Sequence, residues 1–195
     1  MKRFKNMSEI HKPKILGNFE IKHREFKPTF RELISPEYFG QKEGDIITIL
    51  TDIRKNEVVM SDSVMEKRTN LDFVYRANGN VLIAGLGIGM IVLAIQDKPE
   101  VEKITIVELE QDVINLILPS LPINEKVNVI CSDIHDFETD EKFDVVYCDI
   151  WNNIDGENYE EMKKLTRKFK SKINRENKES FIGHWRKADC VRLSK

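Results

Sequence analysis

Asn80-Val81-Leu82-Ile83-Ala84-Gly85-Leu86-Gly87-Ile88-Gly89-Met90 is the stretch that decides the fold. A short apolar run ends in three glycines spaced two apart, and a second apolar run follows. This order reads as a buried strand, a sharp turn and a helix. Glycine is needed where a backbone takes unusual dihedrals or lies against a ligand, so Gly85, Gly87 and Gly89 point to a nucleotide-like binding turn.

Nineteen residues past Gly89, the apolar run Ile104 to Val107 ends in Glu108, whose carboxylate can accept from both hydroxyls of a ribose. Val127 to Cys131 closes with Ser132-Asp133, and Phe143 to Cys148 closes with Asp149. Ligands of open parallel α/β sheets sit outside the carboxyl ends of the strands, so one rule gathers Gly85, Glu108, Asp133 and Asp149 at a crevice. Helices are expected from about Gly89 to Asp97 and from about Gln111 to Leu118, where Pro119 and Pro122 stop the second. Alternating strands and helices imply an α/β fold, a Rossmann-like parallel sheet with helices on both faces.

The spacing also bears on the ligand. A dinucleotide fingerprint wants its third glycine, or alanine, one place later, where this chain has Met90. Between Gln96 and Asp149 there are fourteen Asp or Glu against four Lys, a field that disfavours a doubly anionic pyrophosphate and suits a sulfonium cation.

On these residues, roughly 79 to 151, the chain resembles the class I S-adenosylmethionine-dependent methyltransferases, whose first motif is a strand running into Gly-x-Gly-x-Gly, here Ala84 to Gly89. The resemblance implies that Gly85, Leu86, Gly87 and Gly89 lie against the amino-acid and ribose parts of the cofactor. It places Glu108 on the ribose hydroxyls with Leu109 beside it, Asp133 on the adenine amino group and Ile134 beside the ring. Asp149-Ile150-Trp151 then falls beside the methyl group and the substrate, with Asp149 as the candidate catalytic residue and Trp151 as a wall of the acceptor pocket. Tyr159 is a second candidate for that wall, unless it belongs to a buried helix face.

The segment ahead of the glycine turn looks like the spermidine synthase branch of the same superfamily. Ile46 to Met60 reads as a hairpin around a polar Arg54-Lys55-Asn56 turn, followed by Ser61-Asp62-Ser63-Val64-Met65-Glu66. That likeness places Glu66 and Asn70 toward cofactor or substrate. An aminopropyl transferase would carry an acid in the glycine loop and a proline-containing turn after the fourth strand, whereas here the loop is apolar and Asn152-Asn153 stands in the turn. Methyl transfer to an unidentified acceptor is therefore the expected activity, with aminopropyl transfer, or cofactor binding without chemistry, as the alternatives.

Bulk properties narrow the classes. The 195 residues make about one domain, read as an extension with a hairpin over 1–78 and a cofactor-binding domain with a helical tail over 79–195. A net charge of −2 names no obligate polyanion partner, no apolar run reaches the ~20 residues of a membrane span, and the amino terminus has no apolar signal core. Three cysteines at unrelated spacings make no disulfide framework, so a cytoplasmic setting is expected. Four histidines share no metal-ligand spacing, and His135 reads as a loop residue. The basic run Lys163 to Lys178 reads as a solvated face in preference to a nucleic-acid contact.

Residues 1–44, punctuated by Pro13, Pro28 and Pro36, read as a loosely organised extension with short helices. After Trp151, Glu157 to Asn177 reads as one amphipathic helix with Met162, Leu165, Phe169 and Ile173 in register. Beyond residue 178 only Phe181-Ile182 and Val191 to Leu193 look faintly strand-like. The carboxyl half of the sheet is thus expected to be shortened, leaving the fourth strand near an open edge and making a homodimer plausible.

Overall fold

The computed structural model describes residues 4–195. Helix α1 (Met7–Ile10) leads into β1 (Lys14–Leu16) and β2 (Phe19–Glu25). After α2 (Phe30–Ile34) the chain forms β3 (Ile46–Asp52) and β4 (Glu57–Ser61). The last two strands are the expected hairpin. They belong to a four-stranded antiparallel sheet in the order β1-β2-β3-β4, which corrects the reading of residues 1–44 as loosely organised. The cause is local. Phe19 and Ile21 are buried and alternate with the polar Glu20 and Lys22, which is strand periodicity, and Leu16 pairs Phe19 across a two-residue Gly17-Asn18 turn.

Two short helices, α3 (Val64–Thr69) and α4 (Leu71–Arg76), connect this sheet to the unit built on the glycine turn. That unit runs β5 (Gly79–Ala84), α5 (Met90–Ile95), β6 (Val101–Glu108), α6 (Gln111–Ile117), β7 (Val127–Cys131), β8 (Val145–Cys148), α7 (Gly156–Phe169), β9 (Phe181–His184) and α8 (Lys187–Leu193). Its five strands lie in the order β7-β6-β5-β8-β9, all parallel, so the protein carries the expected Rossmann-like α/β sheet flanked by helices. Strand order reverses between β5 and β8, which puts the switch point at the glycine turn and Asp149.

Parallel strands covered on both faces need continuous apolar runs. Val81 to Ala84 and Val145 to Cys148 are buried without a break, and every residue of α5 is buried as well, so the helix after the glycine turn is apolar all round and sits in the core.

The carboxyl end departs from expectation in two places. Helix α7 stops at Phe169, not near Asn177, and Ile173 bridges to Phe143, whose N–H donates to the Lys172 carbonyl at 2.8 Å. Phe181 to His184 is a full parallel strand, paired from Val145↔Phe181 to Cys148↔His184. It covers the edge of the fourth strand, so the sheet is less truncated than the sequence implies. Val191 to Leu193, by contrast, lies in α8.

Candidate functional site

Each strand that ends at the switch point delivers one expected residue. Gly85 follows β5, Glu108 ends β6, Asp133 comes two residues after β7 and Asp149 comes directly after β8. Leu86, Gly87, Leu109, Ile134, Trp151 and Glu66 line the same cavity of about 340 Å³ together with those four. The antiparallel sheet closes its opposite side with Phe19, Leu50 and Met60.

All three glycines of the turn have positive φ: +97° at Gly85, +52° at Gly87 and +75° at Gly89. Their role differs in part from the expected one. A Cβ on Gly85 would stand 2.3 Å from the Asp149 carbonyl oxygen, and one on Gly87 would stand 2.2 Å from the Met60 sulfur. Close backbone and side-chain packing therefore requires these glycines in addition to the turn geometry. Gly89 leaves the site altogether: it caps α5, packs on Leu121 and does not line the cavity.

Glu108 is buried, and its two oxygens accept from the Leu86 N–H at 2.8 Å and the Glu110 N–H at 2.9 Å. The side chain thus staples the glycine turn to the end of β6 and keeps a further lone pair on each oxygen for a ligand. Burial raises its pKa, opposed by those two N–H groups. Asp133 accepts the His135 N–H at 2.8 Å, which fixes the loop that presents the buried Ile134.

Asp149 and Glu66 form the acidic end. The Oδ2 of Asp149 is sealed from solvent and accepts no hydrogen bond. Burial pushes the Asp149 carboxyl up to about 7, with the Asn70 amide opposing. Glu66 rises to about 8 through burial and the Asp149 charge, opposed by Arg186 and Trp185. Asn70, expected to face a ligand, instead sits behind the cavity wall: it is fully buried, accepts the Tyr147 hydroxyl at 2.8 Å and donates to the Glu66 carbonyl at 3.1 Å. Tyr159 also lies outside the cavity, half-buried against the core.

Glu161, Trp185 and Met60 are among the lining residues that the sequence does not single out. Glu161 on α7 accepts the Trp151 indole N–H at 2.6 Å and meets the His135 ring at 2.8 Å, joining the loop after β7 to the loop after β8. A glutamate one helical turn before the buried Leu165 was its only signal. Trp185 comes directly after β9, and its indole donates to the Thr69 hydroxyl at 3.1 Å. Reading Phe181 to His184 as a strand would have placed it at the site. Met60 was read as the end of a hairpin, and its sulfur faces the Ile88 N–H at 3.4 Å.

Among the described residues no group of three or more His, Cys, Asp or Glu is placed to hold a metal ion, and no helix is long and apolar enough to cross a membrane. In the basic run, Lys163 pairs with Glu160, Lys168 with Glu138 and Lys172 with Asp140.

No protein-family model matches the chain, and no curated protein does. Solved structures do. The plantazolicin methyltransferase BpumL in complex with SAH is 19% identical, over 55% of this chain and 39% of that one, at a TM-score of 0.39. The N-methyltransferase NodS from Bradyrhizobium japonicum WM9 in complex with S-adenosyl-l-homocysteine is 17% identical, over 60% and 52%, at 0.39. The CcbJ methyltransferase from Streptomyces caelestis is 16% identical, over 55% and 45%, at 0.44. The chain spans about half or less of the length of these proteins.

Proposed function

We propose that the cavity binds S-adenosylmethionine and that the protein transfers its methyl group to an acceptor. The observation that carries this reading is the meeting, in one cavity, of a positive-φ glycine turn on β5 and a buried carboxylate on the neighbouring β6. The residues fit the cofactor chemically. Seven Asp or Glu side chains line the cavity against Lys55 and His135; with Glu66 and Asp149 holding protons near neutrality, the remaining acids still make a field that favours a cation, and Glu108 retains acceptor capacity for a diol. The volume lies within the ~300–1,000 Å³ of ordinary small-molecule sites.

In this reading Glu108 holds the ribose, Asp133 and Ile134 address the base, and Leu109, 61% exposed at the rim, closes over it. The cofactor supplies an electrophilic methyl carbon whose bond to sulfur breaks with both electrons left on sulfur. Trp151, fixed through Glu161, and Asp149 wall the place where an acceptor would stand. Displacement of this kind needs alignment more than strong acid–base catalysis, which suits residues held by hydrogen bonds on rigid strand ends.

Calorimetry with S-adenosylmethionine and S-adenosylhomocysteine tests the reading, which no detectable binding of either would end. Glu108→Ala should weaken binding by about 1–3 kcal/mol, because a bonded charged acceptor is removed. Unchanged affinity would take Glu108 out of the site.

A second reading, aminopropyl transfer from the decarboxylated cofactor, is favoured by the antiparallel sheet ahead of the glycine strand and by Glu66 joining Asp149 in the cavity. Turnover with putrescine and the decarboxylated cofactor, against no methyl transfer from S-adenosylmethionine, would decide for it.

A further inference from the structure

Helix α7 touches both loops that frame the cavity. Glu161, Leu165 and Lys168 recur at four- and three-residue spacing, so they lie on one stripe of the helix. Leu165, fully buried, packs that stripe on the core, and its two polar neighbours reach the loops. Glu161 Oε1 accepts from the His135 Nε2 at 2.8 Å, and its Oε2 accepts the Trp151 indole N–H at 2.6 Å. Lys168 Nζ donates to the His135 carbonyl at 2.6 Å. A single carboxylate therefore has one oxygen on the loop after β7 and the other on the loop after β8. The two joins differ in burial. Trp151 is 8% exposed and packs edgewise on His184 with ring centroids 5.8 Å apart, and Thr166 of the same helix holds that histidine at 2.7 Å. The His135–Glu161 join keeps 38% of each side chain exposed. An indole has one donor, so the Glu161 oxygen sets which way the Trp151 ring turns.

We infer that Glu161 is a positioning residue that couples the two halves of the site: a purine seated on Asp133 and Ile134 sets His135 and, through Glu161, sets the Trp151 wall against which an acceptor stands. What enters each half rests on the cofactor reading above. The first link lies within one turn of chain. Asp133 Oδ1 accepts the His135 N–H at 2.8 Å, and the Asp133 carbonyl accepts the N–H groups of Asp136 at 3.0 Å and Phe137 at 2.8 Å, so Asp133 and His135 shift as one body. From His135 the route runs through the partly solvated join to Glu161 and then to the buried indole, a contiguous set of hydrogen bonds able to carry a coupling between base and acceptor wall.

The test reads the Trp151 indole N–H in proton–nitrogen correlation spectra of the isotope-labelled full chain. Adenosine is the probe, because it carries the purine and ribose and no tail that reaches toward the acceptor. The chain has two tryptophans, and Trp151→Phe removes one indole signal and so assigns both. Adenosine should shift the Trp151 signal of the parent. Glu161→Leu, which offers no acceptor, should move that signal upfield in the free protein and abolish its response to adenosine, while calorimetry still shows adenosine bound. Glu161→Gln should restore the response, since its amide oxygen can accept the indole and its N–H can donate to a neutral imidazole. Thr166→Val is the control: it cuts the bond to His184 behind the same ring, off the route from the base, and should keep the response. A response that survives in Glu161→Leu overturns the inference, because the purine would then reach Trp151 by another way. So does its loss in Thr166→Val, which would make any loosening of α7 sufficient. Adenosine that binds without shifting the parent's Trp151 signal overturns the coupling and leaves the cofactor reading standing, whereas no binding of either adenosine or S-adenosylhomocysteine ends both.

Discussion

Gly85→Ala is expected to lower the stability of the folded protein by about 2–5 kcal/mol and to abolish ligand binding in the cavity. Two costs add. At φ +97° an L side chain is strained, and the new Cβ would meet the Asp149 carbonyl oxygen at 2.3 Å. That oxygen cannot swing aside as a side chain could, because the Asp149 N–H donates to the Ala84 carbonyl at 2.9 Å and locks the ends of β5 and β8 together. Relief requires the two strand ends to part, which moves Asp149 and the turn at once. Gly44→Ala is the control: Gly44 also has positive φ, at +85°, but nothing lies within 4 Å of an added Cβ, so only the backbone strain of ~1–2 kcal/mol applies. Urea denaturation of both variants checks the difference. Equal losses at the two positions would show that contact at the switch point does not matter.

The central strands of the parallel sheet were legible because they are buried on both faces, so Val81 to Ala84 and Val145 to Cys148 appear as unbroken apolar runs and Ile104 to Val107 as one interrupted only by Thr105. The strand β9 was not. Phe181 to Gly183 is only half-buried, so its sequence lacks the density of a central strand, and the ladder to β8 defines it instead. The amino-terminal sheet was half legible. Its β3–β4 hairpin carries two β-rich runs, whereas β1 and β2 are short or one-sided and expose lysine and glutamate on the solvent face.

The same contrast holds within the site. Residues at strand ends, Gly85, Glu108, Asp133 and Asp149, could be placed together by one topological rule, and all four line the cavity. Side chains brought in by helix packing or by the antiparallel sheet, such as Glu161 and Met60, reach the cavity through tertiary contacts with no local signature. Gly89 stands apart from the cavity lining. Its spacing matches the other two glycines, but the turn carries it one step past the cavity, into the packing of α5 on Leu121.

The acidic pair should also shape stability against pH. Glu66 moves from 4.5 up to about 8 and Asp149 from 3.8 up to about 7, so the folded state holds protons that the unfolded chain releases. For carboxyl groups raised in this way the stabilising contribution is complete below their ordinary values and is lost as pH rises through the raised ones. Two histidines act in the opposite sense. Burial lowers His184 to about 4 and also lowers His11, so stability grows as pH climbs toward their ordinary 6.5. The opposing slopes offset one another in part below about pH 6.5, and above it only the carboxyl groups remain. Stability should therefore fall more steeply above pH 6.5 than below it, losing on the order of 2 kcal/mol between pH 6.5 and 8.5, the pair releasing its protons as a coupled unit. The Glu66→Gln, Asp149→Asn double variant cannot release them and should keep its stability across the same interval, ending more stable than the parent at pH 8.5. Urea denaturation at pH 6.5 and 8.5 measures both profiles, and parallel curves would mean that the two carboxyl groups are not held protonated by the fold.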